Sequence, residues 1–273
     1  MTPIQHDAIG ICPAILVPDP MQIDAETFEH TIRGATAAGF DAFSLWAFWP
    51  VAYGIERARD LLDSLGATVC AIEAAMQWVG GPDAATAEAV GLVDVASRLG
   101  AHTVAACCLE PEVGSWSQAV AGFRALCDTA GEAGLRVCIE FLPCTGMADL
   151  ATAWHVVEES GAVNGGILVD MMHWHRQTGG PDFALLEQIP GDRIHYVQVC
   201  DTVTAAATSG AYMEEAVTDR RLPGDGDVDI PRLLTTLEHI GADPWFAYEV
   251  FNQAFAAEGP DAMARRLAAC RIG

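Results

Sequence analysis

Four side chains that offer an oxygen donor stand at or next to the ends of short apolar runs: Glu140 after 135–139, Asp170 after 167–169, Gln198 after 196–197 and Glu249 after 246–248. If these runs are strands and the residues share one end of a sheet, three carboxylates and an amide oxygen meet in one place. That set is hard and oxygen-rich, suited to one divalent cation, Mg²⁺, Mn²⁺ or Co²⁺, better than to zinc. Without a cation the carboxylates would repel and raise one another's pKa. Any one of them is explained by a helix cap or a surface position; the four in step make a site.

The spacing says what must position them. Glu140 and Asp170 are 30 residues apart and Asp170 and Gln198 are 28 apart, one β/α unit per step. Gln198 and Glu249 are 51 apart, the same step enlarged by a long loop. The whole chain repeats this pattern. Apolar runs at 8–12, 42–45, 68–72, 103–106, 135–139, 166–169, 193–199 and 245–248 alternate with helical stretches. The helices are expected from Asp24 to Gly39, then over 55–65, 84–99, 115–133, 149–160, 183–188, 230–240 and 259–270, with Asp24 as an N-cap and Gly39, Gly66 and Gly100 as stops. Eight such units predict a single-domain (β/α)8 TIM barrel over 1–273, an α/β fold whose active site lies at the C-terminal ends of the strands. No GxGxxG follows the first run, against a dinucleotide-binding half. The connections 13–23 and 200–229 are long and fall on that same face; the second holds the turn-rich Arg220-Arg221-Leu222-Pro223-Gly224-Asp225-Gly226-Asp227, suited to a lid.

Composition narrows the chemistry. The chain has 273 residues, 37 acids against 14 bases and a net charge of −23, so neither nucleic acid nor an anionic membrane is an expected partner. All the bases are arginine, and the absence of lysine excludes Schiff-base aldolase and pyridoxal-phosphate catalysis. Nine cysteines show no CxxC spacing. An odd count without a signal-like N-terminus or a long apolar span leads to the expectation of free thiols in the cytoplasm.

At this point the chain resembles the xylose-isomerase-like barrels of the sugar phosphate isomerase/epimerase superfamily. The carriers are Ala37-Ala38-Gly39-Phe40-Asp41, Ile139-Glu140, Val169-Asp170-Met171-Met172-His173, Val197-Gln198-Val199-Cys200-Asp201, the segment from Pro223 to Asp229, and Tyr248-Glu249. The resemblance implies a divalent cation held by Glu140, Asp170, Gln198 and Glu249. It implies that His173 reaches the substrate or its metal-bound oxygen, and that Arg220 or Arg221 contacts a substrate anion. It also admits a homo-oligomer, with no interface legible in the chain. The implied chemistry is proton removal next to a metal-bound carbonyl through an ene-diolate, with Glu140 and Glu249 as the acid/base pair. The expected activity is therefore isomerisation or epimerisation of a keto-sugar or related polyhydroxy ketone. With a β-leaving hydroxyl and His173 as acid or base, the same site becomes a dehydratase or lyase, as in the 3-dehydroshikimate dehydratases and C-glycoside-cleaving lyases of the superfamily. A non-catalytic binding barrel is a third reading, against which the intact ligand set argues.

Two departures matter. Gln198 stands where many sugar epimerases have histidine. The ends of the third and fourth runs read Ile72-Glu73-Ala74-Ala75 and Cys107-Cys108-Leu109-Glu110, without the histidines of the multi-zinc endonucleases. Aromatic residues gather at the strand ends instead: Trp46, Phe48, Trp49, Trp78, Phe141, Trp174 and Phe251. Trp46, Trp49, Trp78, Phe141 and Trp174 are the candidates to stack on a ring or apolar body of the substrate; sealing the barrel mouth is the alternative.

Overall fold

The apolar runs are strands, and they close on themselves. The computed structural model describes residues 9–205, 209–270 and 272, in which eight parallel strands form a closed barrel in sequence order. They are β1 (Ile9–Ile11), β2 (Ala42–Trp46), β3 (Thr68–Ala75), β4 (Thr103–Cys107), β5 (Arg136–Glu140), β6 (Gly165–Asp170), β7 (Ile194–Val199) and β8 (Trp245–Tyr248). Ala8, expected to open the first strand, lies outside the described residues. Both faces of these strands are covered, which is why they read as continuous apolar runs rather than alternating ones. Inside, Cys70, Ala71, Ala105, Cys138, Leu168, Tyr196 and Ala247 form their own cluster, mostly small side chains around one tyrosine. Outside, a larger cluster joins strands to helices.

The helices are α1 (Ala25–Ala37), α2 (Phe48–Tyr53), α3 (Ile55–Leu65), α4 (Pro82–Leu99), α5 (Trp116–Glu132), α6 (Leu150–Ser160), α7 (Met171–Arg176), α8 (Phe183–Leu186), α9 (Ser209–Thr218), α10 (Ile230–His239), α11 (Gln253–Ala256) and α12 (Pro260–Ala268). The expected caps form: the Asp24 side chain accepts from Thr27 N, and Gly66 and Gly100 end their helices in the left-handed region. On α1, Phe28, Ile32 and Ala35 are buried at helical spacing. Burying each of the two larger side chains contributes roughly 1.5–3 kcal/mol. The short helices α2, α7 and α11 were not expected, because six residues or fewer give no periodicity. β3 runs three residues further than its apolar run suggested, carrying Glu73 into the sheet opposite Trp46.

The nine cysteines are free, and no helix among the described residues is long and apolar enough to cross a membrane. The connection after β7 is built rather than loose. Asp201 and Arg221 form an antiparallel bridge, and the buried Asp201 carboxylate accepts from the backbone N–H groups of Thr202 (2.8 Å), Gly224 (2.9 Å), Gly226 (3.1 Å) and Val228 (3.1 Å). Gly226 is required there, since a Cβ would come within 2.3 Å of Asp201 Oδ1. Asp201→Ala leaves those donors without their acceptor and is expected to cost about 3 kcal/mol in urea unfolding. Asp201→Asn, which keeps one acceptor oxygen, should lose less; equal losses would show that the carboxylate is not what holds the turn.

Candidate active site

The barrel register brings the predicted oxygen donors to one rim. Asp170 pairs with Gln198, while Glu140 pairs with Leu168 and Gln198 with Ala247, each two residues short of the next acid, so the donors step around the ends of β5 to β8. Asp170 ends β6 and N-caps α7: its Oδ1 accepts from His173 N at 2.8 Å while its Oδ2 accepts from Arg220 Nη1 at 2.5 Å. The same guanidinium nitrogen stands 3.1 Å from Glu249 Oε2 and donates to the Glu249 carbonyl at 3.1 Å. Gln198 Nε2 donates to Glu249 Oε1 at 3.0 Å and reaches Glu73 Oε1 at 3.5 Å. His173 Nε2 faces Glu140 Oε1 at 3.4 Å, and its Nδ1 is hydrogen-bonded to the Tyr212 hydroxyl. The chain Glu140–His173–Asp170–Arg220–Glu249–Gln198–Glu73 is therefore continuous.

Burial and charge set the protonation states. Burial alone would raise Asp170, but the Arg220 guanidinium beside it and His173 hold its carboxyl below the ordinary value. Burial and the nearby Glu73 carboxylate push Glu249 well above the usual carboxylate range, against the pull of Arg220. Burial and repulsion from Glu140 push Glu73 up to about 7, opposed by hydrogen bonds from Ser44, Gln198 and Tyr196. Burial, Glu73 and Glu249 together raise the Cys12 thiol.

Glu73 is the residue the sequence reading passed over. It follows Ile72 in plain view, but β3 was expected to end before it, and Glu140, the nearest of the strand-end acids, lies 67 positions further on. Tyr212 was missed for another reason: α9 lies inside what read as a lid, without a strong apolar period. The expected lid arginines separate. Arg220 is buried and bound to Asp170 and Glu249, with its Nε donating to Ala216 O at 2.6 Å. Arg221 is half-exposed and stands 3.5 Å from Asp219.

The expected aromatic lining also divides. Trp49 and Trp78 are buried and donate their indole N–H groups to the carbonyls of Pro20 (2.9 Å) and Cys107 (3.0 Å). Trp174 is buried edge-on to Phe183, and Phe141 is 1% exposed. These four pack the structure around the rim, the arrangement of the sealing alternative. Trp46 is the partly exposed member, lying against Phe48 and Phe251 at ring-centroid distances of 5.9 and 5.7 Å.

The expected ligands divide between two groups, Glu140 and Asp170 in one and Glu249 in the other, each of which could hold a cation. Within each of the two groups the donor atoms lie within 4.8 Å of one another: Glu140, Asp170 and His173 in the first, and Cys12, Glu73 and Glu249 in the second. Gln198 Oε1, between them in the chain of contacts, is buried and has no hydrogen-bond partner. An unpaired buried amide oxygen beside several carboxylates is chemically matched to a cation. Arg220 supplies the positive charge between Asp170 and Glu249 in the structure itself.

A pH dependence follows. Folding raises the pKa of Glu73 from 4.5 to about 7, so its favourable contribution is complete below 4.5 and is lost as pH rises through about 7. Asp170 acts oppositely, its contribution being lost as pH falls below its ordinary 3.8. Metal-free protein should lose thermal stability between pH 5 and pH 8 by at least on the order of 2 kcal/mol, since Glu249 is raised as well, and Glu73→Gln should flatten that slope in part in calorimetry. Parallel profiles for the two proteins would rule out Glu73 as its source.

Comparison with known proteins agrees with the barrel. A stretch of 167 residues, 60% of this chain, is 27% identical to 3-dehydroshikimate dehydratase of Pseudomonas putida, of which it covers 26%. A stretch of 133 residues, 48% of the chain, is 28% identical to inosose isomerase of Bacillus velezensis, of which it covers 45%. The chain thus matches only about a quarter to under half of the length of these enzymes. Among solved structures, the IolI protein, determined with a bound zinc atom, superposes with a TM-score of 0.80 at 17% identity over 96% of both chains, a likeness of fold. The model of the xylose isomerase-like TIM barrel family matches residues 32–271, and the chain belongs to that family.

Proposed function

We propose that the chain is an isomerase or epimerase of a cyclic polyhydroxy ketone, moving a proton on the carbon next to the ring carbonyl. The observation that carries this reading is the pair of carboxylates, Glu140 and Glu249, joined through His173, Asp170 and Arg220 in one connected rim of polar groups. The relatives support the substrate class: inosose and 3-dehydroshikimate, the compounds in their names, are both six-membered-ring ketones bearing hydroxyls.

Glu140 is the more accessible of the pair, with a side chain 13% exposed, and is suited to take the proton. Glu249, raised by burial, is suited to hold one and return it from the other side. His173 Nε2, opposite Glu140, would donate to a substrate oxygen, and the partly exposed Trp46 would offer an apolar face to the ring. Glu140, Asp170, Gln198 and Glu249 would hold the cation, Mn²⁺, Mg²⁺ or Co²⁺ by the hardness of the donors, with Glu73 and His173 within reach. When bound, the ion stabilises the negative charge that develops on the carbonyl oxygen. With a net charge of −23, the partner is a small molecule rather than a nucleic acid.

The second reading is a dehydratase, favoured by the Pseudomonas putida relative and by His173 standing beside Glu140, where it could protonate a leaving hydroxyl. Inosose and 3-dehydroshikimate, each incubated with the protein and Mn²⁺ in deuterated water, separate the two. Deuterium uptake with an isomeric product from inosose is expected; release of water and an aromatic product from 3-dehydroshikimate would select the dehydratase. In either case Glu140→Gln should lower turnover by roughly 10²–10⁴-fold. Undiminished turnover in that variant would sink the role given to Glu140. Mn²⁺ at about a hundred times its Kd should stabilise the protein by about 2.7 kcal/mol. Gln198→Ala should weaken that shift; an identical shift would remove Gln198 from the ligand set.

A further inference from the structure

One thiol reaches the rim. Cys12 follows β1, and its backbone N–H donates to the Tyr248 carbonyl at 3.0 Å, which sets it beside Glu249. Cys12 Sγ and one carboxylate oxygen each from Glu73 and Glu249 lie within 4.8 Å of one another, and all three residues are buried. Two ligands of one zinc ion, each about 2.0–2.3 Å from it, stand no more than roughly 4.6 Å apart. The three atoms are nearly gathered around a common centre.

A second feature points to the same place. The Gln198 carboxamide is 1% exposed; its Nε2 donates to Glu249 Oε1 at 3.0 Å and reaches Glu73 Oε1 at 3.5 Å, while its Oε1 has no hydrogen-bond partner. Arg220 takes the other oxygen of Glu249, Oε2, at 3.1 Å. A half-turn of the carboxamide puts the unpaired oxygen where Nε2 stands, against both carboxylates. That arrangement is favourable with a cation between them and unfavourable without one.

From this geometry we propose that Cys12, Glu73 and Glu249, completed by the turned Gln198 oxygen, form a seat for Zn²⁺. It differs from the sulfur-free group of Glu140, Asp170 and His173. Gln198 and Glu249 belong also to the four-ligand set expected from the sequence, so Cys12 and Glu73 are what distinguish this seat. A thiolate favours zinc over magnesium and manganese, and one sulfur with three oxygens fills a four-coordinate shell. On binding, the S–H bond gives way to a sulfur–zinc bond and the proton passes to solvent.

The test uses the full chain, freed of metal with chelator and titrated with Co²⁺ without substrate. A thiolate on Co²⁺ gives a sulfur-to-metal charge-transfer absorption in the near ultraviolet that oxygen and nitrogen ligands do not. Wild-type protein should develop this band; Zn²⁺ should erase it, and a large excess of Mg²⁺ should leave it. Cys12→Ser should lose it. Cys200→Ser should keep it, which controls for a thiol whose Sγ lies 4.0 Å from both Asp170 carboxylate oxygens. Should Cys12→Ser not fold, X-ray absorption of zinc-loaded Cys200→Ser decides, with one sulfur expected at about 2.3 Å. A shell of oxygen and nitrogen alone would overturn the proposal. So would a wild type without the band, a band that survives in Cys12→Ser or vanishes in Cys200→Ser, or one that Mg²⁺ erases. Neither spectrum needs turnover, so failure of the functional reading shows separately, as absence of activity toward inosose and 3-dehydroshikimate.

Discussion

The barrel gathers its strand ends on one rim, and this chain places Asp170, Gln198 and Glu249 on adjacent ends, with Glu73 and Glu140 across the rim. Burying so much like charge is unfavourable unless it is paired or protonated. Arg220 is the compensating group. Its guanidinium bridges Asp170 and Glu249, lowers the pKa of the first and opposes the rise of the second. Where Arg220 does not reach, Glu73 answers the same problem by tending to keep its proton.

That bridge makes the rim depend on a segment far from any strand. Arg220 is delivered by the connection after β7, which is held by Asp201 through backbone amides and by α9 through Ala216 and Glu215. Loops at the C-terminal face usually carry specificity while strands carry chemistry. Here the loop also carries the positive charge that makes the strand-end acids tolerable, so its turn chemistry and the site are not separable. A turn-rich stretch that reads as a lid is in this way a structural wall.

Much of the site was legible because the period of a β/α unit converts sequence distance into strand-end position. The residues Glu140, Asp170, Gln198 and Glu249 each sit beside an apolar run, and the runs became strands with those residues at their ends. Glu73 was not legible in that way: β3 continues three residues past its apolar run, and only pairing with Trp46 places Glu73 at the rim. The tryptophans misled for a related reason. Position at a strand end is readable from the chain, but whether a ring turns to the mouth or into the wall depends on neighbours such as Pro20, Cys107 and Phe183 that are distant in sequence.

The sequence by itself determined the eightfold alternation, and with it the barrel and the common rim, because periodicity and punctuation are local properties. It also determined the acidic donor set and the absence of lysine chemistry, which are matters of composition. Tertiary structure decided which charges meet: Arg220 with Asp170 and Glu249, Tyr212 with His173, and Glu73 with Gln198. Those pairings join residues 29 to 125 positions apart. Local sequence cannot encode such a meeting, since it exists only once the strands have closed and the connection after β7 has folded back across them.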